Sequence, residues 1–205
     1  GIDGVTWRSY GDNLFEKLTD LHDRVHKGSY RARPAKRTCI PKADGSERPL
    51  SVWCLEDKIV QHAVVRVLEA IYEEDFVGFS YGFRSGRRQH DALDALQVGI
   101  LRKRVDWVLD ADIQGFFDAM SHDWIIRFLK HRIADKRILR LIAKWLKVGI
   151  VEDGCVTRSV RGAPQGAVIS PILTNVYLHY VYDPWVHRWR RTTATGDVMV
   201  IRYAD

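Results

Sequence analysis

Long apolar runs, paired cysteines and compositional bias are all missing from this 205-residue sequence. No stretch of about 18 uncharged apolar residues occurs, which argues against a membrane-spanning helix. The N-terminal sequence GIDGVTWRSYGDN has no basic segment followed by an apolar stretch, so it is not predicted to be a secretory signal. The three cysteines are widely spaced without a CxxC pair, which disfavours a disulfide framework or a structural zinc site. We therefore expect a soluble intracellular protein with no membrane partner.

The sequence does contain ample material for a packed core. Hydrophobic residues make up 46% of it and aromatic residues 11%, which excludes disorder and low complexity. Trp107, Trp124 and Trp145 fall in apolar periodicities and are expected in this core. At roughly 100 to 200 residues per domain, the length allows one domain or two closely packed subdomains.

Positive charge is concentrated in two segments, although the net charge of the chain is only +6. Eight Lys or Arg residues lie between Arg24 and Arg48 against two acids, and eight lie between Arg127 and Lys147 against Asp135 alone. Two basic surfaces separated by a hydrophobic middle suit a polyanion, and nucleic acid is the commonest such partner. Ordinary solvated helix faces are the alternative interpretation.

Hydrophobic periodicity predicts both helices and strands. Two extended runs around Asp44-Gly45 predict a β-hairpin with basic residues near its tip. Alternating patterns predict further strands beginning at 105 and near 197. Strands mixed with helices, without a regular βαβ repeat, indicate an α+β fold with a largely antiparallel sheet. Apolar residues at helical spacing predict helices over 13–26, 55–72, 89–101, 124–133, 138–148 and 170–182.

Two of the predicted strands end in carboxylates. VDWVLDAD reaches Asp112, and VMVIRYAD reaches Asp205. A carboxylate at the end of a buried strand is costly unless it is paired or holds a metal. If the two strands are neighbours, the two acids converge on a divalent cation, and such hard oxygen ligands favour magnesium. The alternative is that both acids are ordinary strand ends without a metal.

Five sequence motifs resemble those of the reverse transcriptases encoded by group II introns of bacteria and organelles. In chain order they are IPKADGSERPL, SYGFRSGRRQHDAL, DADIQGFFD, GAPQGAVISPIL and RYAD. The resemblance covers essentially the whole chain. It implies a right-hand polymerase, with fingers at 1–104 that include the basic N-terminal segment, and an incomplete palm at 105–205 whose mainly antiparallel sheet packs on helices. The implied partners are an RNA template, a DNA primer, deoxynucleoside triphosphates and group II intron RNA.

The resemblance also implies a metal site and a nucleotidyl-transfer reaction. Asp112 and Asp205 match aspartates that bind metal, and the main-chain carbonyl of Ile113 is an expected third ligand. The complete enzymes of this family use two Mg²⁺ ions. Arg84, Arg87 and Arg88 are expected to meet template phosphates, which positions a strand without reading its sequence.

Further residues match the part of the family's site that holds the incoming nucleotide. Phe117 stands where the family places an aromatic side chain that would collide with a 2′-hydroxyl, and Phe116 is the alternative for that role. Gln165 matches the glutamine beside the nucleotide sugar. Lys42 and Arg48, on the predicted hairpin, match finger residues that grip the triphosphate.

The implied function is RNA-directed DNA polymerisation of the group II intron type. The family's motif continues with a second aspartate and a helical thumb, so we expect this chain to be a fragment that is inactive alone. The alternatives are an RNA-binding splicing cofactor (a maturase), a non-catalytic remnant that binds intron RNA, and a relative that serves anti-phage defence or CRISPR spacer acquisition. The expected location is the bacterial cytoplasm or an organelle, and the sequence leaves the oligomeric state open.

Overall fold

A computed structural model describes residues 1–41, 45, 47–103, 105–158 and 160–204, with the backbone alone for Arg48. Within these residues the chain is α+β, as the sequence predicts, with eight helices and a sheet of four strands. The helices are α1 Trp7–Gly11, α2 Leu14–His26, α3 Leu55–Tyr72, α4 Gln89–Arg102, α5 Phe116–Ala119, α6 His122–Leu129, α7 Lys136–Lys147 and α8 Ser170–Thr192. The strands are β1 Ala35–Pro41, β2 Glu47–Val52, β3 Ile150–Glu152 and β4 Cys155–Thr157.

The predicted hairpin is present as β1 and β2, which pair antiparallel from Lys36 opposite Val52 to Pro41 opposite Glu47. The sheet has the order β2-β1-β3-β4. Its central pairing, β1 with β3, is parallel, and β3 pairs antiparallel with β4. The sheet is therefore mixed and joins the hairpin to a segment more than 100 residues later in the chain.

One hydrophobic core holds the helices and the sheet together. It extends from Leu21 on α2 to Leu178 on α8, and so includes residues from both halves of the sequence. Leu173 on α8 is fully buried, and Trp145 on α7 is 1% exposed, which confirms the prediction for that tryptophan. Burying side chains of this size stabilises a fold by about 1.5–3 kcal/mol each, so the core fixes where α3, α6, α7 and α8 lie.

Helix α8 is longer than its apolar pattern predicts. The prediction ends at residue 182, whereas the helix continues through Pro184 to Thr192. Pro184 cannot donate a backbone hydrogen bond, which normally weakens a helix. Val186, one half-turn farther on, is 1% exposed, and its burial against the rest of the protein helps to offset that loss. None of the helices in the described residues is both long and apolar enough to cross a bilayer.

The two acid-terminated strands are absent from the structure, so those predictions are wrong. Residues 105–113 form no strand within the described part of the chain, and Trp107 is 91% exposed rather than in the core. Residues 197–204 contribute only one bridge, a parallel one between Arg202 and Ser80. An alternating pattern forms a strand only where a neighbouring strand supplies hydrogen bonds, because β-propensity depends on context. Trp124, at 46% exposure, is likewise not a core residue.

A buried polar cluster secures the N-terminal segment to the rest of the protein. The Tyr30 hydroxyl donates a hydrogen bond to the Asp57 carboxylate and accepts one from Nε1 of Trp145 at 3.0 Å. The Lys144 ammonium donates to the Tyr30 carbonyl at 2.7 Å. Burial raises the pKa of the Asp57 carboxyl, while the hydrogen bond from Tyr30 acts in the opposite direction. Each buried polar group of this cluster thus has a partner, which keeps the cost of its burial low.

Candidate active site

The loop 162–166, which contains Gln165, is hydrogen-bonded on one side to residues 115–120. These residues include the one-turn helix α5 with Phe116 and Phe117, and we call them the aromatic turn. The Ala163 amide donates a hydrogen bond to the Phe117 carbonyl at 2.7 Å, and the Gly162 amide donates to the Met120 carbonyl at the same distance. Two residues later in the chain than Met120, His122 is buried, and its Nε2 is 2.8 Å from the Gly162 carbonyl. These bonds hold the loop and the aromatic turn at a fixed separation.

On its other side the same loop is bound to strand β2 of the hairpin. The Ser51 amide donates a hydrogen bond to the Gln165 carbonyl at 2.9 Å. Gly166 has a φ of +92°, and a Cβ atom at this position would lie 2.7 Å from the Ser51 carbonyl oxygen. The loop and the hairpin strand therefore lie so close together that only glycine fits at position 166.

Replacement of Gly166 by alanine tests this close approach. We expect Gly166→Ala to lower the free energy of unfolding, measured by urea titration, by roughly 1–3 kcal/mol from backbone strain alone. The contact with Ser51 adds to that loss. Gly196→Ala is the matched control, because Gly196 also has a positive φ of +83° but has no neighbouring atom within 4 Å. Equal losses for the two variants would contradict the proposed packing of the loop on β2.

Gln165 carries an acceptor that is buried without a partner. Its side-chain Oε1 atom is inaccessible to solvent, and no hydrogen-bond donor among the described residues reaches it. A buried carbonyl oxygen without a donor is costly, so such an atom is a candidate for contact with a ligand. The side chain as a whole is half-buried, between the hairpin and the aromatic turn.

The structure distinguishes between the two neighbouring phenylalanines. Phe116 is 8% exposed, and its ring packs edge-on against Tyr177 with centroids 5.9 Å apart. Phe117 is half-buried and packs at the edge of the core. Phe116 is therefore occupied with core packing, and Phe117 is the better candidate for contact with a bound sugar. Gly115, at a φ of +63°, makes the turn that precedes both rings.

The candidate metal ligands are only partly described. Asp112 is exposed, and the Ile113 carbonyl accepts a hydrogen bond from the Phe116 amide at 3.3 Å. Asp205 lies outside the described residues, so the expectation that it approaches Asp112 stays a prediction. Groups of three or more His, Cys, Asp or Glu suited to a metal do not occur in the described part of the chain. The two donors that are described, a carboxylate and a carbonyl, are hard oxygen ligands of the kind that Mg²⁺ prefers.

The cationic residues predicted to bind phosphate differ in their environments. Arg84 has a side chain that is 2% exposed, and its guanidinium donates to the Glu73 carboxylate at 2.6 and 3.1 Å and to two backbone carbonyls. Its donors are committed within the protein, unlike those of an arginine on a template surface. Arg88 is exposed and Arg87 half-exposed. Lys42 and the side chain of Arg48 lie outside the described residues.

Sequence reasoning missed a buried ion pair made by the arginine of the RYAD motif. Arg202 is 6% exposed and Asp183, on α8, is 2% exposed. The guanidinium donates to both carboxylate oxygens of Asp183 at 3.3 Å, to Oδ1 of Asn175 at 3.2 Å and to the Ala204 carbonyl at 2.9 Å. Asp183 and Asn175 are polar residues eight positions apart in a largely apolar helix, and that spacing was the available signal.

The same cluster connects the RYAD segment to the SYGFRSGR motif. Asn175 donates through Nδ2 to the Gly82 carbonyl at 2.9 Å, and Arg202 exchanges backbone hydrogen bonds with Phe79 and Tyr81 at 2.8 Å. A Cβ atom on Gly82 would lie 2.1 Å from the Ala204 nitrogen. Residues 79–82 and 202–204 are thus in direct contact, and α8 holds both.

Comparison with known proteins identifies the family of this chain. Residues 40–205 match the family described as reverse transcriptase (RNA-dependent DNA polymerase), and the chain belongs to that family. Its relatives include Protein YkfC of Escherichia coli K12, which is 36% identical over 190 residues, 91% of this chain and 50% of that protein.

Proteins of group II and other introns are also among the relatives. The group II intron-encoded protein LtrA of Lactococcus lactis subsp. cremoris is 36% identical over 165 residues, which are 80% of this chain and 27% of LtrA. The uncharacterized 91 kDa protein in the cob intron of Schizosaccharomyces pombe is 41% identical over 172 residues, 82% of this chain and 21% of that protein. The chain spans half or less of the length of these relatives.

Proposed function

We propose that this chain forms the fingers, at 1–104, and part of the palm, at 105–205, of an RNA-directed DNA polymerase. The observation that carries the proposal is the loop 162–166, which is hydrogen-bonded to the Phe117 turn on one side and to strand β2 on the other. Three motifs far apart in sequence thereby meet at one place, and RNA binding alone requires no such meeting.

In this proposal, two of the three elements contact the sugar of an incoming deoxynucleotide and the third contacts its triphosphate. The Phe117 ring lies under the sugar and excludes a 2′-hydroxyl, and the half-buried side chain of Gln165 lies beside the sugar. Lys42 and Arg48, on the hairpin whose strand β2 contacts the loop, bind the triphosphate. Positioning by several fixed groups is the main way a protein accelerates phosphoryl transfer.

Asp112, Asp205 and the Ile113 carbonyl would hold Mg²⁺ in the complete site. When bound, the metal would lower the barrier by stabilising negative charge on the attacking and leaving oxygens. The chain itself supplies the oxygen ligands and, through the Arg202 cluster, fixes the backbone of Ala204, which immediately precedes Asp205. Arg87 and Arg88 are proposed to contact template phosphates, whereas Arg84 is proposed to stabilise the segment that carries them.

The proposed role of Phe117 is tested by exchanging it for a smaller side chain. We expect Phe117→Val, in the product of the complete reading frame, to raise incorporation of ribonucleotides relative to deoxynucleotides by roughly 10- to 200-fold. The two substrates differ by one hydroxyl, and steric discrimination of a group of about that size is worth roughly that much. The measurement is primer extension on an RNA template with each nucleotide type.

Phe116→Val is the matched comparison for this test. Because Phe116 packs against Tyr177 in the core, its replacement should lower stability and leave the sugar preference unchanged. A change of preference in the Phe116 variant, with none in the Phe117 variant, would transfer the role to Phe116. A full-length protein that extends no primer with either nucleotide would reject the proposed function itself. The 205-residue chain is expected to show no extension alone, in line with its coverage of half or less of its relatives.

A maturase-like function is the second candidate, favoured by the two basic segments of the chain. The relationship to a protein encoded by a group II intron makes intron RNA the corresponding ligand. The two functions are separable by Asp112→Asn, which should abolish primer extension but leave RNA binding intact. If Asp112→Asn lost RNA binding but still extended primers, Asp112 would not be a metal ligand of the polymerase site.

A further inference from the structure

A second concave site lies between helices α6 and α7, apart from the loop that contacts Phe117 and Gln165. Its volume is about 450 Å³, which is within the range of pockets that bind ligands. Ile126, Ala143 and Leu146 supply its apolar lining. Neither the aromatic turn nor the Gln165 loop lines it, and we refer to it as the α6–α7 pocket.

The polar lining of the α6–α7 pocket is predominantly positive. Its lining includes three cations, Arg127 from α6, Lys130 directly after α6 and Lys147 from α7, but only one acid, Asp123. All three cations are exposed. Within the described residues, no carboxylate lies within ion-pair distance of any of these three cations. Three cations around a concavity with one acid raise the local potential, which attracts anions.

Other basic residues of the same segment are already neutralised. Arg132 pairs with Asp75 at 3.1 Å, and Arg137 pairs with Asp135 at 2.9 Å. Only part of the positive charge between Arg127 and Lys147 is therefore free to bind an anion. What remains available is concentrated at the pocket and along the exposed face of α7.

That face of α7 extends the pocket into a linear track. Lys136, Arg140 and Lys147 are exposed and occur at i, i+4 and i+11, which places them along one side of the helix. At 1.5 Å per residue they span about 16 Å, roughly the rise of five nucleotides at 3.4 Å each. A small free anion would occupy one point of such a track, whereas a nucleic acid backbone would follow all of it.

An exposed aromatic residue lies beside the cations. The Arg127 guanidinium lies over the Trp124 ring at 4.8 Å from its centroid, and Trp124 is 46% exposed. A cation beside a partly exposed aromatic side chain is typical of surfaces that bind nucleic acid strands, because both the ring and the guanidinium plane can contact a base.

We propose that the α6–α7 pocket binds the phosphodiester backbone of a nucleic acid strand at a site separate from the nucleotide site. Arg127, Lys130 and Lys147 contact successive phosphates, and Trp124 packs against a base. The pocket also contacts the active-site region through His122, whose Nε2 is 2.8 Å from the Gly162 carbonyl. The proposal does not depend on polymerase activity, since binding at this site needs neither metal nor nucleotide.

The test measures RNA binding by the 205-residue chain. The fluorescence anisotropy of a labelled, unstructured RNA of about 20 nucleotides reports the binding, in buffer without Mg²⁺. The pocket variant is Arg127→Gln/Lys130→Gln/Lys147→Gln. We expect its affinity to fall at least about tenfold and the slope of log affinity against log salt to decrease by about 2, because each single-strand phosphate contact contributes roughly 0.7.

The control variant Arg8→Gln/Arg66→Gln/Arg102→Gln removes the same charge from exposed residues of α1, α3 and α4, none of which lines the pocket. It should lose less than about threefold in affinity. Thermal melting of both variants is expected to match that of the unaltered chain, because the substituted side chains are exposed. Equal losses in both variants, or no RNA binding by the unaltered chain, would overturn the proposal. Displacement of the RNA by inorganic phosphate or polyglutamate at constant ionic strength would also overturn it, in favour of a free anion or an acidic peptide.

Discussion

Replacement of Arg202 by methionine is expected to lower the free energy of unfolding by about 3–5 kcal/mol. Methionine keeps much of the side-chain volume but leaves the Asp183 carboxylate, which is 2% exposed, without its counter-charge. The Asn175 amide oxygen and the Ala204 carbonyl each lose a donor as well. A domain of this size is stable by only about 5–15 kcal/mol, so the variant should unfold at a much lower urea concentration.

Two further variants make this prediction specific to the buried pair. Arg137→Met removes an arginine that pairs with Asp135 on the surface, where the arginine side chain is 66% exposed, and should leave the urea midpoint nearly unchanged. Arg202→Met combined with Asp183→Leu removes both buried charges and should recover much of the loss, because no uncompensated charge remains. A cost below 1 kcal/mol for Arg202→Met alone would show that the guanidinium is not buried against α8.

This cluster also gives the RYAD segment its position. The Arg202 guanidinium donates a hydrogen bond to the Ala204 carbonyl, and the Arg202 backbone bonds to residues 79 and 81. These bonds fix the position of the backbone at residues 202–204. A buried, hydrogen-bonded group that orients a catalytic segment is the kind of support that active sites require. Asp183 and Asn175 on α8 are therefore expected to influence the proposed active site although neither is placed in it.

The six longer helices and the hairpin were predictable because their signals are local, whereas the short helices α1 and α5 were not predicted. Helix α3 begins at Leu55 and ends at Tyr72 as its apolar spacing predicts, and β1 pairs antiparallel with β2 as predicted for a hairpin. Both patterns depend on residues within about one element length of each other. Mixed pairing in the sheet was not predictable, because β1 contacts β3 across more than 100 residues.

Residues whose role depends on distant partners were predicted less well. Trp107 has the alternating pattern of a strand, but no strand pairs with its segment in the described part of the chain. Arg84 lies among other arginines in a motif whose polar composition suggests an exposed loop. Only the structure shows that its guanidinium donates hydrogen bonds to Glu73 and to the Val77 and Ser80 carbonyls. The approach of Gln165 to Ser51, which supports the proposed nucleotide site, joins positions 114 residues apart. Sequence motifs identified these residues, but their meeting is a property of the fold.

Removal of the Asp112 carboxylate is expected to have the largest effect on activity. We expect Asp112→Asn to reduce primer extension by at least about 10³-fold, because charge stabilisation by a bound metal is worth several kcal/mol and each 1.36 kcal/mol changes a rate tenfold. Asp112 is exposed, and no ion pair to it is present in the described residues, so its loss should leave stability nearly unchanged. Activity and folding are thus separated in one variant.

Primer extension on an RNA template, with Mg²⁺ and deoxynucleotides, compares Asp112→Asn with Asp110→Asn in the product of the complete reading frame. Asp110 is an exposed acid two residues earlier, so the two variants lose the same charge from the same segment. We expect Asp112→Asn to be inactive, while Asp110→Asn retains activity within a few-fold of the unaltered protein. Full activity in the Asp112 variant, or equal loss in both, would contradict the assignment of this chain as the catalytic part of a reverse transcriptase.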